Sequence, residues 1–167
     1  MRIEVSRDVF RLAQVFTISR GSRTEAQVLT VRITDGGVTG WGECVPYARY
    51  GETLESVSAE IEALSGPLTR DALYDLLPAG AARNAVDCAL WDLQAKQAGK
   101  PVWELAGLAR PGPEITAFTL SLDSPEKMRE QAALHAHRPL LKIKLGTPDD
   151  MPRLEAVRAG APDAQII

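Results

Sequence analysis

Hydrophobic and polar residues alternate along the first part of the chain, as half-buried β-strands require. The alternation is weak over residues 2–11, clear over 27–33 and present again over 38–43. Between the last two, Asp35-Gly36-Gly37 predicts a hairpin turn, because glycine tolerates the positive φ angles of tight turns. These segments predict an antiparallel meander of three strands.

From residue 53 the pattern changes to apolar residues every three or four positions, which is the period of an α-helix. Thr69 is the N-cap expected for the second helix. Gly99 is expected to end the third helix, and Pro101 is expected to begin the fourth. Helices are predicted over residues 53–64, from 69 onward, over 81–98 and over 102–106.

After residue 107 the pattern predicts strand, helix, strand, helix and strand, the order of a parallel α/β unit. The strands are predicted over 114–121, 139–145 and 162–167, and the helices over 125–135 and 147–159, the second with Thr147 as cap and Pro148, Asp149 and Asp150 in its first turn. A parallel sheet of two complete strands and the beginning of a third leaves an open edge and a half-covered core. We therefore expect two domains, residues 1–107 and the opening of a larger (β/α) domain over 108–167.

Composition excludes several classes of partner. The net charge of −3 gives no reason to expect nucleic acid or an anionic membrane. No apolar run approaches the ~20 residues that cross a bilayer, and the N-terminus lacks a signal-peptide core, so a cytoplasmic protein is expected. Cys44 and Cys88 fit no metal or redox spacing and are expected to be buried free thiols. His135 and His137 are expected on the surface, with no ligand or base role.

The run from Pro139 to Gly146 contains the most suggestive chemistry of the chain. It reads as a short buried strand, in which Lys142 and Lys144 share one face while Leu141, Ile143 and Leu145 point toward a packing partner. Two ammonium groups side by side disfavour each other's charged form, which is how a lysine becomes a base near neutral pH. A half-exposed strand with two solvated lysines is the alternative that the motif leaves open.

Taken together, the motifs resemble the enolase superfamily, in its muconate-lactonizing branch, and most closely the bacterial dipeptide epimerases of the L-Ala-D/L-Glu type. The resemblance covers residues 1–167. It implies an α+β N-terminal capping domain, with a three-stranded antiparallel meander plus helices, followed by the start of a (β/α) TIM-like barrel. The segments that carry it are Ser19–Glu25, Gly40–Pro46, Tyr47–Glu52, Pro78–Asp92 and Leu141–Leu145.

This resemblance implies isomerase chemistry at the α-carbon of a dipeptide's C-terminal residue. Lys144 would be one of two bases on opposite faces of the substrate, and Lys142 would contact the substrate carboxylate and favour the neutral form of Lys144. Thr119 would be a further substrate contact, unless it is only a β-branched packing residue.

Two loops of the capping domain would complete the substrate site. Arg23, or Arg20 instead, would grip the side-chain carboxylate of a Glu-type substrate, unless both are solvated loop charges. Tyr47 and Tyr50 would belong to a loop that closes over the substrate and excludes water, with plain loop packing as the alternative.

The superfamily places its metal carboxylates on the third, fourth and fifth barrel strands and the opposing lysine on the sixth. The resemblance therefore implies Mg²⁺ as the cofactor. Because the chain ends within the third strand, no metal ligand is expected in this chain, and all ligands are expected beyond residue 167. The 167-residue chain alone is expected to be inactive.

Other functions remain open at this point. Relatives that racemise N-acylamino acids, cycloisomerise muconate or form o-succinylbenzoate share the same enediolate chemistry. A non-catalytic fragment that pairs through its open sheet edge is the alternative outside enzymes, and gel filtration would detect such pairing. A homo-oligomer is possible.

Overall fold

The computed structural model describes residues 1–148 and 150–167. Contacts within the chain divide it into two compact units. The first consists of Met1–Phe10 and Gln27–Pro111, and the second of Arg11–Ala26 and Gly112–Ile167. The far end of a long β-hairpin therefore belongs to the second unit, with the C-terminal third of the chain.

A three-stranded sheet in the order β1-β2-β3 forms the base of the first unit. Its strands are β1 (Arg2–Ile18), β2 (Gly21–Asp35) and β3 (Val38–Cys44). β2 and β3 run antiparallel and are joined at Gly36 and Gly37, whose φ angles of 57° and 81° only glycine adopts easily. The predicted meander and its turn are confirmed, although β1 and β2 are longer than the alternation indicated.

The predicted helices of the first unit are confirmed as well. Thr53 and Thr69 cap the first two, each accepting a hydrogen bond from a backbone amide three residues later. Gly99 ends the third in the left-handed conformation at φ 64°. The helices are α1 (Leu54–Glu62), α2 (Arg70–Leu76), α3 (Ala81–Ala98) and α4 (Val102–Leu105), and a short 3₁₀ helix spans Ala48–Tyr50.

Helix α3 packs across β3 and closes the core of this unit. The side chain of Asp92 accepts a hydrogen bond from the Trp41 amide at 2.8 Å, and Lys96 donates to the Thr39 carbonyl at 3.0 Å. Asp92 and Lys96 also form an i,i+4 ion pair, at 2.6 Å. These side chains cover backbone groups of an edge strand that would otherwise be open to another chain.

The second unit contains a parallel sheet in the order β4-β5-β6, with two helices packed against each other. Phe118 pairs with Leu141, and Leu141 pairs with Ile166. The predicted strand–helix alternation is confirmed by β4 (Phe118–Thr119), α5 (Pro125–Leu134), β5 (Leu140–Lys142), α6 (Asp150–Gly160) and β6 (Gln165–Ile166).

The strands of this unit are shorter than predicted, and α6 begins later. Leu145, expected to be buried, is 44% exposed, because the regular strand ends at Lys142. The amides of Gly146 and Thr147 donate to the side chain of Asp150, so Thr147 does not open the helix as expected. Asp149 lies outside the described residues.

Two predictions about single side chains were wrong. His135 is half-buried rather than on the surface, because its ring packs 4.0 Å from that of Phe118. This burial, together with nearby Arg138 and His137, lowers the pKa of His135. Cys88 is exposed on α3, whereas Cys44 is buried as expected.

Within the described part of the chain, no helix has both the length and the apolar character to cross a membrane.

The two thiols are expected to differ sharply in reactivity. Burial, followed by Glu52 and Glu43, raises the pKa of Cys44 to about 11, and burial with Asp87 raises the pKa of Cys88. At pH 8 a disulfide reagent should therefore modify Cys88 in the folded protein, more slowly than a free thiol, and reach Cys44 only on unfolding. Thiol counting with and without urea, in wild type and Cys88→Ser, checks this. Equal rates for both thiols in the folded protein would contradict it.

Candidate active site

One face of the parallel sheet carries the polar residues that the sequence singled out. Thr119 of β4 pairs in register with Lys142 of β5, so their side chains project from the same face, and Lys144 follows two positions later. Lys142 is exposed and Lys144 is half-buried. The opposite face forms the core against α5 and α6, with Leu120, Leu141, Ile143, Met128, Ala132 and Val157 buried there. The three polar side chains thus project away from the helices.

Lys144 lies just beyond the carboxyl end of β5. Backbone pairing continues to this point, since the Ile143 amide donates to the Ile167 carbonyl at 2.9 Å and the Leu120 amide donates to the Lys142 carbonyl at 2.8 Å. The carboxyl ends of parallel strands meet at one edge of a sheet, which is where barrel enzymes build their active sites. Thr119, Lys142 and Lys144 are therefore grouped at the end of the sheet that the sequence predicted.

The tip of the β1–β2 hairpin is attached to this same end. The Thr17 amide donates to Ser121 Oγ at 2.8 Å, and the Leu122 amide donates to the Thr17 carbonyl at 3.0 Å. Gly146, after Lys144, lies beside Ser19, since a Cβ at Gly146 would be 3.5 Å from that of Ser19. The hairpin segment that contains Arg20 and Arg23 is thus held next to the loops that follow β4 and β5.

Arg23 lines a groove of about 300 Å³ on one face of the hairpin. The apolar part of the groove is formed by Leu12, Ala13, Phe16 and Ala26, and its other polar members are Gln14 and Glu25. A guanidinium beside apolar side chains suits an acidic group carried on an aliphatic stem. The carboxylate of Glu25 in the same groove means that any such ligand would compete with a negative charge of the protein.

The loop behind the lysines contains residues that sequence reasoning missed. Asp150 accepts hydrogen bonds from the amides of Gly146 at 2.6 Å and Thr147 at 3.1 Å, and from the Thr147 hydroxyl at 3.0 Å. Arg153 donates to the Thr147 hydroxyl and, from Nε, to the Asp123 carbonyl at 2.8 Å. The sequence showed Asp150 only as an acid at the start of a helix, and nothing in the pattern indicated the role of Arg153.

Tyr47 and Tyr50 belong to the first unit. Their rings lie 5.8 Å apart, and Tyr50 is 76% exposed. Behind them, the carboxylate of Glu52 accepts hydrogen bonds from the Tyr47 amide at 3.0 Å and from the Ala81 amide, at the start of α3, at 2.7 Å. Glu52 thereby fixes the tyrosine loop to the positive end of a helix dipole. The role of both tyrosines in substrate binding stays a prediction.

Replacing Glu52 with alanine is expected to loosen this loop and to cost about 1–2 kcal/mol of stability, as loss of a helix cap does. Hydrogen exchange of the Tyr47 and Ala81 amides should accelerate, because both lose their acceptor. Glu60→Ala, which removes an exposed glutamate from α1, is the control. Unchanged exchange at both amides in Glu52→Ala would show that Glu52 does not hold the loop.

The described residues do not fit a magnesium ion. Across residues 1–148 and 150–167, no group of three or more His, Cys, Asp or Glu side chains is arranged to hold a metal. Divalent cations such as Mg²⁺ bind through carboxylates and other oxygen ligands. We therefore assign no chemical step on these residues to a metal.

Comparison with known proteins places the fold. Residues 2–107 match the family model "Mandelate racemase / muconate lactonizing enzyme, N-terminal domain". The chain is 42% identical to the L-Ala-D/L-Glu epimerase of Escherichia coli K12, covering 99% of this chain and 53% of that protein. It is 41% identical to the N-acetyl-D-glutamate racemase of a Pseudoalteromonas species, covering 84% and 46%.

A solved structure gives the same picture. An enolase family member from Agrobacterium tumefaciens with homology to dipeptide epimerases, bound to sodium and L-Ala-L-Glu, superimposes with a TM-score of 0.93 at 52% identity. The match covers 98% of this chain and 52% of that one. The chain thus spans about half the length of each of these proteins. The described fold is a capping domain followed by the first part of a (β/α) barrel.

Proposed function

Because the chain belongs to the mandelate racemase / muconate lactonizing enzyme family, we propose that the whole protein epimerises the C-terminal residue of dipeptides such as L-Ala-L-Glu. The observation that supports this most is the grouping of Thr119, Lys142 and Lys144 on the helix-free face, at the carboxyl end of the strands. The epimerase of E. coli and the A. tumefaciens protein with bound L-Ala-L-Glu support the same substrate class.

The chemistry assigns a distinct task to each residue. The neutral amine of Lys144 takes the α-proton, and the electron pair of the broken C–H bond moves into the substrate carboxylate, which becomes an enediolate. The ammonium of Lys142 and the hydroxyl of Thr119 bind that carboxylate. A protonated group on the opposite face then donates a proton to the α-carbon, the electron pair of the enediolate forms the new C–H bond, and the configuration is inverted.

An enediolate carries more negative charge than two such side chains stabilise easily, and enolase-superfamily enzymes use Mg²⁺ for this purpose. We propose Mg²⁺ as the cofactor of the whole protein. Its ligands and the second base are then residues other than those described here. The bound sodium of the A. tumefaciens structure supports a cation site in such proteins.

The direct test is exchange of the α-proton of L-Ala-L-Glu in D₂O, with Mg²⁺ and the whole protein, followed by NMR. Deuterium should appear at the α-carbon of the glutamate, together with L-Ala-D-Glu. Because a relative is an N-acetyl-D-glutamate racemase, N-acetyl-D-glutamate is the second substrate to try. Exchange of that compound alone would replace the dipeptide proposal with N-acylamino acid racemisation. Exchange of neither would refute both.

Arg23 is expected to set the preference for an acidic residue. In Arg23→Ala, kcat/KM for L-Ala-L-Glu should fall by about tenfold to a hundredfold, the usual range for a lost charge-assisted hydrogen bond, mostly through KM. L-Ala-L-Ala, which lacks the carboxylate, should be affected little. Arg20→Ala is the matched control on the same hairpin. A loss confined to Arg20→Ala would transfer the role to Arg20, and equal losses for both dipeptides would remove it from Arg23.

The cytoplasmic location and the possible homo-oligomer stay predictions. Gel filtration of the whole protein at several concentrations tests the second.

A further inference from the structure

Arg153 of α6 connects two loops at the active-site end of the second unit. Its Nε donates to the Asp123 carbonyl, in the loop between β4 and α5, at 2.8 Å. Its Nη1 donates to the Thr147 hydroxyl, in the loop between β5 and α6. The side chain is only 15% exposed. A planar guanidinium with two bonds in fixed directions sets the spacing of the two loops more rigidly than a single bond would.

The Thr147 side of this connection is itself fixed. Asp150 accepts from the amides of Gly146 and Thr147 and from the Thr147 hydroxyl. The Gly146 amide has the largest part in lowering the pKa of Asp150, so the carboxylate stays charged and keeps these bonds. The backbone two and three residues after Lys144 therefore has little freedom.

The Asp123 side leads to the hairpin. Two residues earlier, Ser121 accepts from the Thr17 amide, and the adjacent Leu122 donates to the Thr17 carbonyl. Thr119 lies four residues before Asp123, on β4. Through Arg153, the loop after Lys144 is thus joined to the segment that carries Thr119 and to the hairpin that carries Arg23.

We propose that Arg153 is a positioning residue for proton transfer, which holds Lys144 at a fixed place relative to Thr119 and the hairpin. The proposal rests on the proposed function, in which Lys144 takes the α-proton. Because proton transfer depends steeply on geometry, a small displacement of Lys144 reduces the rate of the chemical step more than it weakens substrate binding.

The experiment compares Arg153→Lys with Arg158→Lys in the whole protein. Arg158 lies on the same helix and donates to the carbonyls of Pro162 at 2.9 Å and Ala164 at 2.7 Å, which precede β6. Both variants keep the charge and lose the planar guanidinium. In Arg153→Lys, kcat for L-Ala-L-Glu should fall by about tenfold to a hundredfold with KM changed by less than about threefold, and the Gly146 and Thr147 amides should exchange faster.

Arg158→Lys should leave kcat and both amides unchanged. Unchanged amide exchange in Arg153→Lys, unchanged kcat despite faster amide exchange, or an equal loss of kcat in Arg158→Lys would each overturn the proposal.

If the wild-type protein shows no exchange of the substrate α-proton, the proposed function fails. The chemical reactivity of Lys144 then decides whether Arg153 positions it. The rate of Lys144 labelling by trinitrobenzenesulfonate, relative to Lys142, should change in Arg153→Lys but not in Arg158→Lys, and an unchanged ratio would overturn it.

Discussion

Replacing Lys144 with alanine is expected to reduce α-proton exchange of L-Ala-L-Glu by at least about 10³-fold, within the range for loss of a general base. Lys144 is half-buried just beyond the carboxyl end of β5. It comes two positions after Lys142, which lies with Thr119 on one face of the sheet. In the proposed mechanism Lys142 binds the substrate carboxylate, so no other described residue on this face is assigned the α-proton. Exchange in D₂O, measured by NMR on the whole protein with Mg²⁺, gives the rate.

Two further variants make this result specific. Lys144→Arg keeps a positive charge but is not a base near neutral pH, so it should be as inactive as Lys144→Ala. Lys100→Ala removes a surface lysine that pairs with Glu104 at 2.8 Å and should retain full activity. Substantial exchange by Lys144→Arg would show that the charge of Lys144, rather than its basicity, supports the reaction.

Local sequence signals predicted the first unit well because its elements carry their own start and stop residues. Helix α3 has a regular apolar face and ends at Gly99, and Thr53 and Thr69 cap the helices before it. The glycines at 36 and 37 fix the turn between β2 and β3. Each of these choices depends on a few neighbouring residues, so a single sequence is sufficient to identify them.

The second unit was predicted less accurately, for a physical reason. The apolar runs around Phe118 and Leu141 reach beyond the paired strands, and pairing between distant segments decides where a short parallel strand ends. Leu145 has the same residue type as the buried Leu141, yet it lies past the end of β5 and is exposed. The periodicity of hydrophobic residues predicts which side chains share a face of a strand, but it does not show where the hydrogen-bonded pairing with the neighbouring strand ends.

The candidate site shows the same division. Alternation along one strand was enough to place Lys142 and Lys144 on one face. The connections among loops depend on contacts between residues far apart in sequence, such as Thr17 with Ser121 and Arg153 with Asp123. No local pattern encodes these contacts. The sequence therefore pointed to the chemical groups of the candidate site, whose roles stay predictions, and the structure was needed to show which contacts hold them.

Replacing Gly42 with alanine is expected to destabilise the first unit by at least about 3 kcal/mol, at the upper end for overpacked cores. Gly42 lies on β3 directly under α3, and a Cβ there would overlap the backbone carbonyl oxygen of Ala85. Backbone atoms of a long helix do not move aside as a flexible side chain does. The methyl group must therefore push α3 away from the sheet, which opens the core between Val31 and Ala89.

Urea unfolding followed by tryptophan fluorescence measures this effect in the right unit, because all three tryptophans, Trp41, Trp91 and Trp103, lie in the first one. Gly112→Ala, at the start of the second unit, is the control for the glycine-to-alanine change itself, since Gly112 has no neighbour within 4 Å of an added Cβ and no positive φ. It should change stability by less than about 1 kcal/mol, because removing glycine then acts mainly on the unfolded chain. Similar midpoints for the two variants would mean that α3 can shift on the sheet at little cost, and that the close contact at Gly42 does not hold the helix in place.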